Sequence, residues 1–147
     1  MTMNTITFNT LTGAVTEYTG FGFQSITPTH AGSAAGLFTL GGDTDAGQPI
    51  VAQVTTGKQL WGGSLKKTAL MVYFSLKGEG TSTLTVTGEE DSYSYQFPVR
   101  ATGESRCKPG QGIRENYLAF GYSNTDGAPF QLDRIEVLVA ESKTRRV

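Results

Sequence analysis

The chain has 147 residues, a length that fits one domain and buries enough surface for a full core without metal or disulfide staples. Its single cysteine, Cys107, excludes an intrachain disulfide framework. Twelve basic residues against thirteen acidic ones give a net charge of −1, so the basic field that nucleic-acid binding requires is missing.

The charge is unevenly placed. Residues 1–57 carry Glu17, Asp43 and Asp45 but no Lys or Arg, and every basic residue lies from Lys58 onward. A surface so poor in charge fits a part that packs against neighbours in an assembly. The longest apolar run, Ala69 to Phe74, is far short of the roughly eighteen residues of a membrane span. The amino end, Met1-Thr2-Met3-Asn4-Thr5, lacks the charged and apolar regions of an export signal. Neither membrane insertion nor export is therefore expected.

In chain order, Ile6 and Phe8 alternate with polar neighbours as a first strand, and Val15 to Tyr18 forms a second. Phe21, Phe23 and Ser25 also alternate, interrupted by glycine and Pro28, and Pro28 to Ser33 reads as a loop. Gly36 to Leu40 is a short apolar strand ending in the turn-forming cluster Gly41 to Gly47, read as an ordered loop. A strand over Ile50, Ala52 and Val54 ends before Gly57.

The strongest strand follows Lys66 and Lys67, with Leu70, Val72, Phe74 and Leu76 on one face and Ala69, Met71, Tyr73, Ser75 and Lys77 on the other. Gly78-Glu79-Gly80 then turns the chain into Thr81 to Thr87, where Leu84 and Val86 point inward, and a third strand carries Tyr93, Tyr95 and Phe97. These three strands are predicted to form a hairpin extended into a meander.

Residues 101–113 read as the longest structureless stretch. Leu118, Phe120 and Tyr122 share one strand face, and Asn124-Thr125-Asp126-Gly127 is a turn. In the last strand Phe130 and Leu132 have one parity and Ile135, Val137 and Val139 the other, which predicts a bulge near Asp133. No window shows helical periodicity. The pattern predicts an all-β protein, an antiparallel β-sandwich of jelly-roll-like form: an amino-terminal arm or edge strands over residues 1–35, a sandwich over 36–140 and a polar basic tail over 141–147.

Catalytic chemistry finds little to stand on. His30 and Cys107 are the only residues of their types, too few for a hydrolytic triad or a zinc site. Arg106 and Lys108 beside Cys107 predict a lowered thiol pKa, with no base in sequence to use it. Glu89, Glu90 and Asp91 read as a solvated hairpin cap rather than a glycosidase pair. No catalytic residue, cofactor or enzymatic activity is expected.

Asp43 and Asp45 are the one pair with calcium-like spacing, although the closing Glu of a calcium loop is absent and Asx-turn bonding to the local backbone is the favoured reading. Trp61, Tyr73 and Tyr117 are the candidate ligand-binding rings, since an aromatic face with a polar tip suits a sugar. Alternation along strands places the same rings equally well in a core.

The segments Gly36 to Ile50, Thr55 to Lys58, Trp61-Gly62, Lys66-Lys67, Tyr117 to Phe120 and Asn124 to Val137 together resemble minor structural proteins of tailed bacteriophages. The resemblance covers residues 36–139. It implies a β-sandwich of the tail tip or baseplate, located in the virion, that connects copies of itself or other virion proteins. It carries over no catalytic residues. The ending from Phe130 to Val139 also resembles galactose-binding-like jelly rolls, which implies a receptor-binding module for a bacterial surface glycan as the alternative.

Overall fold

A computed structural model of the chain describes residues 4–143. The strands are β1 (Asn4–Phe8), β2 (Val15–Thr19), β3 (Ser25–Ile26), β4 (His30–Ser33), β5 (Gly36–Thr39), β6 (Thr44–Asp45) and β7 (Gln48–Pro49). They continue with β8 (Gln53–Thr55), β9 (Lys67–Gly78), β10 (Thr81–Thr87), β11 (Ser92–Pro98), β12 (Ser105–Cys107), β13 (Ala119–Asn124) and β14 (Phe130–Glu141). The protein is all-β, built of antiparallel sheets in a sandwich-like arrangement. No helix among the described residues is long and apolar enough to cross a membrane.

The chain divides into two compact units between Gly42 and Asp43. The division falls beyond residue 35 because Gly36–Thr39 pairs with His30–Ser33. The segment read as a loop from Pro28 to Ser33 is therefore partly strand β4, which pairs with β3 on one side and β5 on the other. Thr27 and Thr29 supply side-chain oxygens around His30, and these local bonds hold the turn that loop-forming composition had suggested.

In the first unit β1 and β2 form a hairpin, and β3-β4-β5 form a separate sheet. Internal packing comes mainly from a ladder of rings: Tyr18 on Phe21 at 5.1 Å, Phe21 on Phe23 at 4.4 Å and Phe23 on Phe38 at 5.6 Å. Of its described residues only Ala31 is buried.

The second unit opens with the small β6–β7 hairpin, where the sequence reading had an ordered loop. Ala46 and Gly47 both take positive φ, 48° and 82°, the backbone twist that tight two-residue hairpins require. A four-stranded sheet, β11-β10-β13-β8, and a three-stranded sheet, β12-β9-β14, then supply the core. Val72, Phe74 and Leu76 of β9, Leu84 and Val86 of β10, Phe97 of β11 and Phe120 and Tyr122 of β13 are all buried.

The hairpin expected between β9 and β10 does not form, and neither does the meander. The two strands lie in different sheets, and only β10 and β11 pair as neighbours. The reason is the core itself: two strands that each carry an apolar row bury both rows most fully when the rows face each other from opposing sheets. Phe74 accordingly stacks on Phe97 of the other sheet at 4.8 Å and 8° between planes, with Tyr122 at 5.5 Å. Pairing is nested: β9 takes β14 and, one step in, β10 takes β13.

The bulge expected near Asp133 is present, since Leu132 faces Leu76 and Arg134 faces Ser75. A second irregularity was not legible. Leu138 faces Met71 while Val139 faces Ala69, which leaves Leu70 without a partner and turns it outward, 38% exposed. Beyond the bulge the inward parity passes to Ala69 and Lys67, both buried. The supposed structureless stretch likewise contains β12, which adds three residues to the edge of β9 and buries Ser105 and Cys107. Glu141 of the predicted tail ends β14, and residues 144–147 lie outside the described residues, as do Met1 to Met3 of the amino end.

At the β13–β14 turn the buried side chain of Asn124 joins three chain segments. Its Oδ1 accepts from the Ala52 amide at 2.7 Å, and its Nδ2 donates to the carbonyls of Ile50 at 3.1 Å and Ala128 at 2.9 Å. Asn124→Ala leaves a donor and two acceptors unpaired, and an expected loss of about 2–3 kcal/mol is measurable by urea unfolding.

Candidate functional site

Two surfaces emerge, one in each unit. The first is the exterior of residues 4–42. Ile6 (70% exposed), Phe8 (63%), Leu11 (95%) and Leu37 (74%) stand in solvent, together with Val15, Tyr18 and Ile26. The strands alternate as sheets do, but among the described residues their apolar rows stay largely exposed, so alternation here produces open faces instead of a core. Glu17 is the sole Asp, Glu, Lys or Arg on this surface, and it accepts a hydrogen bond from Asn4 at 2.8 Å. His30 is exposed, with Nδ1 2.9 Å from the Thr29 hydroxyl.

The second surface is the outer face of the β12-β9-β14 sheet. Tyr73 lies there between Arg106 of β12 and Glu136 of β14. With Glu104, Glu136, Val137 and Leu138 it lines an open cleft of about 290 Å³. Arg134 ties the carboxylates together, its Nη2 3.2 Å from Glu104 and 3.5 Å from Glu136, and the Ser75 hydroxyl donates to Glu104 at 3.0 Å. Charged groups and one ring on a pleated face can accept and donate to hydroxyls of a ligand while an apolar ring edge packs on its carbons.

The remaining candidate residues are dispersed. Trp61, in a turn at φ 46°, donates its indole N–H to the Leu118 carbonyl at 2.7 Å and packs edge-on against Phe120 at 5.2 Å. It faces the core whereas Tyr73 faces away, so the two share no platform. Tyr117 precedes β13 and is 42% exposed. Asp45 pairs with Gln48 in the β6–β7 hairpin, and Asp43 precedes it, both exposed. Among the described residues no group of three or more His, Cys, Asp or Glu side chains is placed to hold a metal ion.

No family model, curated protein or solved structure matches the chain. The likeness to phage tail proteins thus rests on sequence segments alone.

Cys107 corrects an expectation. The flanking cations do not lower its pKa; burial inside the β12 edge pushes the thiol up to about 11 from an ordinary 9, because the thiolate has no hydrating water there. The folded thiol therefore keeps its proton where the unfolded one loses it. Stability from this group is full below pH 9 and falls as pH rises toward 11. Native protein at about pH 8 should resist iodoacetamide, with mass spectrometry showing modification only after unfolding.

Sequence reading placed Lys67 in a lysine pair before the strongest strand and gave it no structural role. The residue is fully buried, and its ammonium donates to the carbonyls of Gly63 at 2.7 Å, Leu65 at 2.8 Å and Asn116 at 2.9 Å. Its backbone also exchanges bonds with Glu115 in both directions, at 2.9 and 3.2 Å. The turn just before β9 and the sequence-distant Glu115–Asn116 segment are thereby fastened to the start of β9. The signal was its in-phase spacing with Ala69, legible only once Leu70 is known to bulge.

Proposed function

We propose that this chain is a non-enzymatic structural protein of a tailed-bacteriophage virion, tail- or baseplate-associated, that acts by assembling with copies of itself and with other virion proteins. The observation that carries the reading is the amino-terminal unit, which exposes its apolar rows and among its described residues buries a single alanine. Fixing a backbone costs about 1–2 kcal/mol per residue, and small sheets without a covered face do not repay that cost in water. A patch of this kind on a nearly chargeless surface marks an interface. The nested pairing of β9 with β14 and β10 with β13 supports the jelly-roll form within the sandwich. Mass spectrometry of density-purified virions from the source should find peptides of this chain beside the major tail components; their absence there contradicts the reading.

The cleft beside Tyr73 favours a second reading, a receptor- or glycan-binding module of a phage tail. It predicts saturable binding on an array of bacterial surface glycans that Tyr73→Ala abolishes, and an array without hits removes it.

A further inference from the structure

Strand β14 is twelve residues long and forms one edge of its sheet, with β9 as its sole partner strand among the described residues. Edge strands of such length usually pair or are blocked. Its inward row, Phe130, Leu132, Ile135, Val137 and Val139, is only half-buried along its length. Ile135 is the middle member of that row. On the outward side Arg134 and Glu136 flank it, one of each sign, 62% and 61% exposed at their side chains.

We propose that β14 pairs antiparallel with β14 of a second copy about a two-fold axis at Ile135, which joins the two three-stranded sheets into one. The register follows from the sequence of the strand. Opposed residues in an antiparallel pair share a face, so Ile135 meets its own copy and Arg134 meets Glu136 of the other chain, twice by symmetry. Asp133 already stands outside the ladder as a bulge. If it is skipped on this edge too, Val137 faces Leu132 and Val139 faces Phe130 of the copy, all on the inward side. The alternative register centred on Glu136 sets two carboxylates against each other. A second copy is thus the occupant the charges select, because an isologous contact must be complementary to itself.

The inference rests on the assembly reading and names one contact surface within it. Charge reversal tests it in the full chain by sedimentation velocity. Arg134→Glu alone and Glu136→Arg alone each place like charges opposite in the homodimer and should weaken self-association by about tenfold or more. Mixed in equal amounts, the two variants place opposite charges at both contacts and should recover wild-type association, as should the double reversal R134E/E136R. Single variants that associate like wild type overturn the inference, and so does a mixture that stays as weak as its parts. The double variant Phe8→Asp, Leu37→Asp separates this contact from the amino-terminal one. If it dissociates the assembly while the charge reversals do nothing, the β14 contact falls and the assembly reading stands. If only the reversals show the pattern, β14 stands and the amino-terminal surface falls.

Discussion

Lys67→Met is expected to destabilise the fold by about 3–5 kcal/mol, the cost of leaving three carbonyls without the charged donor that each now shares. Methionine retains an unbranched stem in the same space, so packing changes little and the loss isolates the ammonium. The carbonyls of Gly63, Leu65 and Asn116 lose the donor each now has at 2.7–2.9 Å, and the fold keeps water away from this position. An ammonium carries three N–H groups, and here each has one acceptor. Equilibrium unfolding in urea measures the difference. A loss below about 1 kcal/mol would mean that the three carbonyls find other donors when the lysine is absent.

Phe74→Ala should cost a similar amount, about 3–5 kcal/mol. The ring is wholly buried, stacks on Phe97 and meets Tyr122, so its loss opens a cavity where the two sheets meet. The informative comparison is Leu70→Ala. Strict alternation along β9 puts Leu70 and Phe74 on one face, and by that rule both truncations would be severe. With the bulge, Leu70 is 38% exposed and its truncation should cost about 1 kcal/mol or less. Thermal unfolding of both variants reads the difference, and equal losses would contradict the bulge.

Sequence reading succeeded where one rule acted alone. Alternation in β10 placed Leu84 and Val86 inward, and the parity change across Asp133 marked a bulge that the pairing confirms. It failed where the deciding contact was distant. Nothing local tells that Gly78-Glu79-Gly80 carries the chain to the opposite sheet, because a tight hairpin and a crossing between sheets use the same turn residues. The bulge at Leu70 has no parity change in apolar residues to announce it, since Ala69 is small enough to read as either face. It hid Lys67 as well.

The candidate surfaces divide the same way. The scarcity of charge in the amino-terminal segment was legible because composition alone records missing charge, whereas its exposed apolar rows appear only in the fold. The Glu104–Arg134–Glu136 network was not, since it joins the segment before β12 to β14 across a sheet whose order the sequence leaves open. Tyr73 was found as a ring and not as part of that group. Trp61 was read as a ring for a ligand, while its indole N–H and edge are occupied by Leu118 and Phe120.

Sedimentation equilibrium of the full chain beside the Phe8→Asp, Leu37→Asp variant tests the assembly claim most directly. Both residues lie on the open apolar surface, 63% and 74% exposed, so a carboxylate at either site costs a free monomer little but is strongly unfavourable in a dry contact. The wild-type chain is expected to sediment as an oligomer at micromolar concentration and the variant to shift toward smaller species with its sandwich unfolding transition unchanged. A wild-type chain found only at 15.7 kDa, or a variant that assembles as the wild type does, would contradict the account.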